Sequence, residues 1–574
     1  MKRAPKSLWI LVSLLCFAAL LKANLPRTSI GSWTAASSLS QARSNASAAL
    51  LSDGRILIAG GDSGSGPLTL AESFGSDGTV SSAAAMNVAR SRHFAVVLND
   101  GRVLVGGGTT TGGGAINTAE IYDPLANSWS QINTLTQARA SATAALLQDG
   151  RVVIAGGDNA GVPNNSLEIY DPSSGNFSFA GTLSASRTQH AMAVLQDGRV
   201  LIVGGFDGTN PLASSDIFDP ASGSVSAGPN LATARYAQSA TTLLNGDVAV
   251  IGGAGTGNNG TVDLASVEIF DPTANAFTTA SATLTTAREG HQAFVLPRNN
   301  SVLIVGGTSS GTSVAASELF TPQVNSTSGA WTYAAATTGS NVTARSAATG
   351  SAMQQDGLLL AAGGTDASGN TLDSTELYAF PTVKTDQSDY PPGTTVNITG
   401  AGFTPGETVN ITMIESPLID THGPYTVTAD QNGNIADSSF TTDSHDLSVR
   451  FWLSAVGSTS GIQAQNTFTD NNITVLSAPS GVTFSVTWTG FVSAGCTGTI
   501  QGGPTTVPGI SSSGGSALVT RDLCNSRLLL FLTRAGHLSI GPSHRQRYRH
   551  RRFASQIQAV PILQPTRRTQ QPRR

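Results

Sequence analysis

RASATAALLQDGRVVIAGGD, residues 139–158, and the NNSLEIYDP that follows at 164–172 decide the fold of this chain. Ala142 to Leu147 is a run of small apolar residues ending at Asp149-Gly150, a dipeptide that favours a two-residue hairpin turn. Arg151 to Ala155 then returns as a second strand and runs into Gly156-Gly157, where missing side chains let a neighbouring group approach closely. Glu168-Ile169-Tyr170 reads as a third strand closed by Asp171-Pro172, and a fourth follows around Phe177. No stretch here has the 3.6-residue periodicity of an amphipathic helix.

Working outward, the same unit recurs. Glycine doublets stand at Gly60, Gly107, Gly156, Gly204, Gly252, Gly306 and Gly363, with spacings of 47, 49, 48, 48, 54 and 57. An arginine lies 17 or 18 residues upstream of each: Arg43, Arg90, Arg139, Arg187, Arg235, Arg288 and Arg345. An acid lies 12 to 16 downstream: Glu72, Glu120, Glu168, Asp216, Glu268, Glu318 and Glu376. Two residues after each acid comes an aromatic: Phe74, Tyr122, Tyr170, Phe218, Phe270, Phe320 and Tyr378. The fourth strand centres on Trp33, Val80, Trp129, Phe177, Val225, Phe277 and Trp331, generally ten residues before the next arginine. Four antiparallel strands per unit, repeated seven times, make an all-β, seven-bladed β-propeller. On these residues the stretch 24–380 resembles the kelch repeat family, whose motif pairs a glycine doublet with a Tyr and a Trp at set spacings. Val80 and Val225 depart from that pattern at two outer strands.

The chain enters on a fourth-strand signal and leaves on a third-strand one. Gly31 to Ala36 is therefore expected beside Ser374 to Phe380, closing the ring and removing the exposed edges of the seventh blade.

After Phe380 the pattern changes. Residues 381–470 hold short alternating strands, such as Val409, Ile411 and Met413, between turns at Pro405-Gly406 and Asn432-Gly433. They read as a β-sandwich and resemble the immunoglobulin-like modules appended to bacterial surface proteins. A partial β module is expected over 471–520, and an Arg-rich, disordered or non-native tail over 521–574. That tail has 12 Arg against one acid, net +11, so the overall charge of −4 leaves −15 on residues 1–520. A body this acidic is no general binder of nucleic acid. At the other end, residues 1–23 have the basic start and short apolar run of a secretory signal. The expected protein is secreted or at the cell surface, monomeric, with no transmembrane segment in the mature chain. After cleavage only Cys496 and Cys524 remain, allowing one disulfide at most.

The order of propeller and immunoglobulin-like module also resembles galactose oxidase, a copper radical enzyme. That chemistry needs a cysteine cross-linked to a tyrosine, and this chain has no cysteine between Cys16 and Cys496. His93, His190 and His291 fall in alternate blades at one register, which suits structural positions better than a convergent metal site. The repeated Arg and acid lie at the same end of each sheet and read as ties between strands or blades. No nucleophile elbow, phosphate loop or zinc pair is present, and no cofactor is expected.

The function expected from this pattern is that of an exported, non-catalytic binding or adhesion protein, with protein or glycan as partner. The alternatives are a carbohydrate-active or oxidase-like enzyme with an atypical site, or a structural envelope component. Turns at Asp-Gly and Asp-Pro leave one face of the propeller bare. The opposite face carries the variable connections after the doublets, as binding loops on a rigid scaffold do. Its repeat-breaking residues, Asp62, Arg92, Asp158, Phe206, Asp207, Asp263, Glu289 and Asp366, are the expected ligand contacts.

Overall fold

The computed structural model describes residues 29–475 apart from 258–259, 354–356, 392, 443–448 and 471–472, together with the short strands Ala517–Val519, Leu529–Leu532 and Leu538–Gly541. The expected signal segment, Cys496, Cys524 and most of the Arg-rich tail lie outside the described residues. Seven four-stranded antiparallel sheets form the propeller. Blade 3 serves as their type: Thr143–Leu146, Val152–Ala155, Ser166–Asp171 and Asn176–Thr182, in that order from the axis outward. The first strand of each blade neighbours the first strand of the next, and that of blade 7, Thr349–Met353, neighbours Ser47–Leu50 of blade 1. The ring is therefore closed. Its last sheet is completed from the other end of the propeller, with Trp33 opposite Tyr378 and Ala35 opposite Glu376.

The core lies between blades. Val152 and Ile154 of blade 3 pack against Leu104 and Ile121 of blade 2, and on the other side Val153 and Ala155 pack against Val200 and Ile202 of blade 4. Second strands such as Val152–Ala155 are buried at every residue, which is why they read as unbroken apolar runs. First strands are built from small residues, as in Ser47–Leu50 or Thr143–Leu146, because the space between blades narrows toward the axis. The glycine doublet answers the same crowding: a Cβ on Gly156 would stand 2.5 Å from the carbonyl oxygen of Arg187 in the next blade.

On the outer strands Tyr122 packs on Trp129 at 5.0 Å, Tyr170 on Phe177 at 4.8 Å and Trp33 on Tyr378 at 5.3 Å. Where valine replaces the outer aromatic, Phe74 and Phe218 are buried all the same. Blade 6 corrects the sequence reading. Trp331 is not its central fourth-strand residue, since Phe320 faces Ala335 and Trp331 pairs with Val324 further along. The third and fourth strands, Glu318–Val324 and Trp331–Thr337, are each seven residues long and carry Trp331 out of the blade.

Beyond Phe380 a three-stranded sheet (Thr382–Thr385, Ile398–Ala401, Ile435–Asp437) faces a five-stranded one ordered Asp389–Tyr390, Gln463–Asp470, Arg450–Gly457, Thr408–Ser416, Thr421–Thr428. Val409, Ile411 and Met413 point into the core between them with Phe403, Phe440, Phe451 and Phe468.

Candidate functional site

The repeated charges are the first candidates, and their environment uses them up. In blade 3, Arg139 Nη1 donates to the carbonyl oxygens of Gly156 (2.9 Å) and Ser166 (3.2 Å), while Nη2 bonds the Glu168 carboxylate. The second carboxylate oxygen of Glu168 accepts the Thr136 N–H at 2.7 Å, from the crossover that enters the blade. Both side chains are fully buried, and the pattern recurs at all seven blades. Burial lowers the pKa of Arg139, an effect that the Glu168 charge opposes. These pairs tie the second and third strands to the incoming chain; Arg139 Nε is left without a partner, but it is buried with the rest of the pair and offers no open face to a ligand.

The histidines tie neighbouring blades. His93 Nε2 shares a hydrogen bond with Ser47 Oγ (2.8 Å), His190 with Thr143 Oγ1 (2.7 Å) and His291 with Ser239 Oγ (2.9 Å), each in the preceding blade. Gln238 holds the same register in blade 5 and donates to Val203 O. The Nδ1 atoms of all three histidines are buried without a hydrogen-bond partner. Burial, with the repeat arginines adding to it, holds the three imidazoles neutral, with pKa values down to about 3. Among the described residues no three His, Cys, Asp or Glu side chains converge to hold a metal.

The loop-bearing face is built around a feature the sequence did not announce. The second residue after each repeat arginine has left-handed backbone: Asn45, Arg92, Ser141, Gln189, Ala237, Gly290 and Ala347, with φ between 49° and 61°. Asn45 donates its N–H to Ala347 O, Arg92 to Asn45 O, Ser141 to Arg92 O, Ala237 to Gln189 O and Gly290 to Ala237 O, at 2.8–3.1 Å. Hydrogen bonds thus bridge five of the seven blade-to-blade steps around the axis. For the non-glycine members the conformation costs about 1 kcal/mol or more each, which the collar of bonds offsets. Only Asn45 and Gly290 are residue types that signal such a backbone.

Outside this collar, three of the variable connections fold into two-stranded hairpins, at Asp158–Pro163, Ala254–Asp263 and Thr308–Ser313. The eight candidate residues divide among three roles. Asp62, Asp207 and Asp366 cap their own turns, accepting backbone N–H groups from Gly64, from Thr209 and Asn210, and from Ser368 and Asn370. Arg92 and Asp158 come together across two blades at 3.1 Å, with the Thr188 hydroxyl donating to the same carboxylate oxygen at 3.0 Å.

The remaining three gather at the junction of blades 4, 5 and 6. Phe206 packs on Tyr236 with ring centroids 5.4 Å apart. Beside them, burial and then the Asp263 charge raise the pKa of Glu289, with the Tyr236 hydroxyl acting in the opposite sense. Burial and the Glu289 charge raise that of Tyr236. Asp263 accepts the Ser310 N–H of the next hairpin at 2.5 Å. Tyr236 is absent from the sequence reading, although it holds in blade 5 the register that Glu289 holds in blade 6. A signal does exist, since the other blades place Ser44, Ser91, Ala140, Thr188, Glu289 and Ser346 at that position.

The opposite face is not bare throughout. Asp53–Arg55, Asp100–Arg102, Asp149–Arg151 and Asp197–Arg199 close four turns as exposed ion pairs. At blade 6 the turn is Arg298-Asn299-Asn300 instead, and the immunoglobulin-like domain docks on it. Asn299 Nδ2 donates to Pro381 O (2.9 Å) and Gln463 O (2.8 Å), and Asn300 Nδ2 to Gln465 O (2.7 Å). The expectation of a bare face fails here because the longer turn offers free amides where Asp-Gly-Arg would satisfy itself.

Residues 90–136 and 139–184, blades 2 and 3 with their connections, match the family described as Kelch motif, and 380–469 match that described as Macroglobulin-like domain. No curated protein matches the sequence. Among solved structures the chain is similar to one titled "Structure of YjhT", at 17% identity and TM-score 0.42, over 52% of this chain and 99% of that one. It is also similar to one titled "Novel fungal alcohol oxidase with catalytic diversity among the AA5 family, in complex with copper", at 15% identity and TM-score 0.49, over 77% of this chain and 100% of that one. The repeat and the closed ring of seven sheets make this stretch of the chain a β-propeller, two of whose blades match the Kelch motif, and the sandwich that follows it matches the macroglobulin-like domain.

Proposed function

We propose that the protein is an exported, non-catalytic binding or adhesion protein, which uses the loop-bearing face of its propeller to hold a protein or a glycan. The supporting observation is the patch at blades 4 to 6. The residues that depart from the repeat there, Phe206, Tyr236, Asp263 and Glu289, put an aromatic pair beside two carboxylates at the rim of a collar fixed by hydrogen bonds. Aromatic faces with hydrogen-bonding acceptors beside them suit either partner class. The basic start and apolar run of residues 1–23 support export.

The test is binding of the purified full chain to a glycan array and to a panel of extracellular proteins. Saturable binding is expected, weakened about tenfold or more by Phe206→Ala with Tyr236→Ala and retained in Asp53→Ala with Asp149→Ala on the other face. Loss confined to the second pair overturns the choice of face.

One observation favours a second reading as a carbohydrate-active enzyme: Glu289, its pKa raised by burial and then by the Asp263 charge, has a second carboxylate beside it, and a pair of carboxylates is what glycoside hydrolysis uses. Release of reducing ends from a bound glycan, abolished by Glu289→Gln, would establish it in place of the first.

A further inference from the structure

The four-residue displacement of Trp331 has a destination. Its ring meets Trp452 of the immunoglobulin-like domain edge to face, centroids 4.8 Å apart. Between the outer edge of blade 6 and the exposed side of the five-stranded sheet lies a cleft of about 290 Å³. That is close to the low end of the roughly 300–1,000 Å³ typical of small-molecule sites. Its walls are the two tryptophans with Leu244, Val324, Ile414, Leu453 and Val456, and its polar lining is made of amides and hydroxyls such as Gln323, Thr412, Ser454 and Asn466. No ionisable side chain lines it.

Elsewhere in the propeller the indole N–H is committed, Trp33 to Ser317 Oγ at 3.0 Å and Trp129 to Ala84 O at 2.7 Å. Among the described residues neither Trp331 nor Trp452 has such a bond, and neither N–H is among the buried unpartnered atoms. The walls are held in place from below, where Gln465 Nε2 donates to Pro322 O at 2.9 Å and its N–H to Asn299 O at 3.0 Å. The cleft is therefore built on sheets joined by hydrogen bonds.

We propose that this cleft is a second binding site, separate from the loop-bearing face, for a short neutral saccharide. The half-exposed Trp331 indole can take the C–H face of a pyranose, with the buried Trp452 backing it, and amides, which both donate and accept, match the sugar hydroxyls. The lining itself carries no charge, and the Arg450 guanidinium beside it lies over the Trp452 ring, 5.5 Å from its centroid, so the surface that remains for a ligand is neutral and favours an uncharged sugar over a phosphate or an acidic sugar. The volume suits one or two sugar rings.

Titration calorimetry and tryptophan emission of the full chain with lactose, cellobiose, maltotriose and mannotriose test this, with sialyllactose as the anionic control. At least one neutral sugar is expected to bind and shift the emission. Trp331→Ala and Ser454→Arg, the latter filling the cleft from a half-exposed position, should each weaken it about tenfold or more. Trp331→Phe should keep most of it, and Phe206→Ala with Tyr236→Ala should leave it unchanged, which separates this site from the loop-bearing face. Binding of none of the neutral sugars, equal binding of sialyllactose, or full binding by a folded Ser454→Arg protein would each overturn the proposal.

Discussion

Blades 3 and 6 are built on the same repeat and used differently. In blade 3 the third and fourth strands turn at Asp171 to Asn176, and Tyr170 lies opposite Phe177, so each large side chain is consumed inside the propeller. Blade 6 keeps the buried Arg288–Glu318 pair, yet its outer hairpin runs on, Tyr333 stacks on Phe320 at 5.5 Å, and Trp331 leaves for the neighbouring domain. Residues that obey the period hold the scaffold. Of those that break it, Trp331 meets the neighbouring domain on the outer edge, while Tyr236 and Glu289 carry the proposed binding patch on the loop-bearing face.

The largest effect should be one that does not distinguish the two blades. Arg139→Ala and Arg288→Ala each leave a buried carboxylate without its partner and are expected to lower stability by about 3–5 kcal/mol, read from denaturant unfolding. A much smaller loss in Arg288→Ala would mean that blade 6 has left the repeat in its core as well. The outer tryptophans should differ. Trp129→Ala removes a ring packed on Tyr122 and an indole bond, at about 2–3 kcal/mol, whereas Trp331→Ala should change propeller unfolding by less than about 1 kcal/mol. Its effect belongs at the junction, as faster hydrogen exchange of the Gln465 and Val383 amides, which bond Asn299 O and Arg298 O. Equal destabilisation by both substitutions would break the comparison.

At neutral pH the smallest effect concerns the histidine ties, which act only in acid. In the unfolded chain these imidazoles titrate near 6.5, and in the folded chain near 3. Between those values the unfolded state binds more protons, so stability is fully present above about pH 6.5 and is lost as pH falls toward 3. Each histidine contributes a slope of about 1.4 kcal/mol per pH unit in that window. His190→Gln, which copies Gln238 of blade 5, should remove one such increment from the slope with little change at pH 8. An unaltered acid slope would show that His190 is not held neutral by its burial.

Much of the architecture is legible in the order of residues alone. The seven Arg, Gly-Gly, acid and aromatic positions define the blades, their number and the closure by Trp33, because a repeat stacks only one way and the chain begins and ends out of phase. The loop-bearing face follows from connection lengths. Within it, Phe206, Asp263 and Glu289 converge, whereas Asp62, Asp207 and Asp366 serve their own turns, a distinction set by where each backbone bends. Trp331 misleads as to register, although the ten-residue interval before Arg345 falls on Ala335. An aromatic side chain is the stronger signal to a reader, and the interval is the stronger constraint on a strand.

By itself, then, the sequence determined the all-β class, the blade count, the closing strand and the role of the repeated charges as ties. All of these depend on periodic patterns, local turn chemistry and pairing within one unit. Only the tertiary structure decided the left-handed collar at the axis, the meeting of Tyr236 with Phe206 and Glu289, and the cleft between Trp331 and Trp452. Each of these joins residues from different blades or domains, so it depends on how curved sheets pack at a distance. No spacing along the chain carries that information.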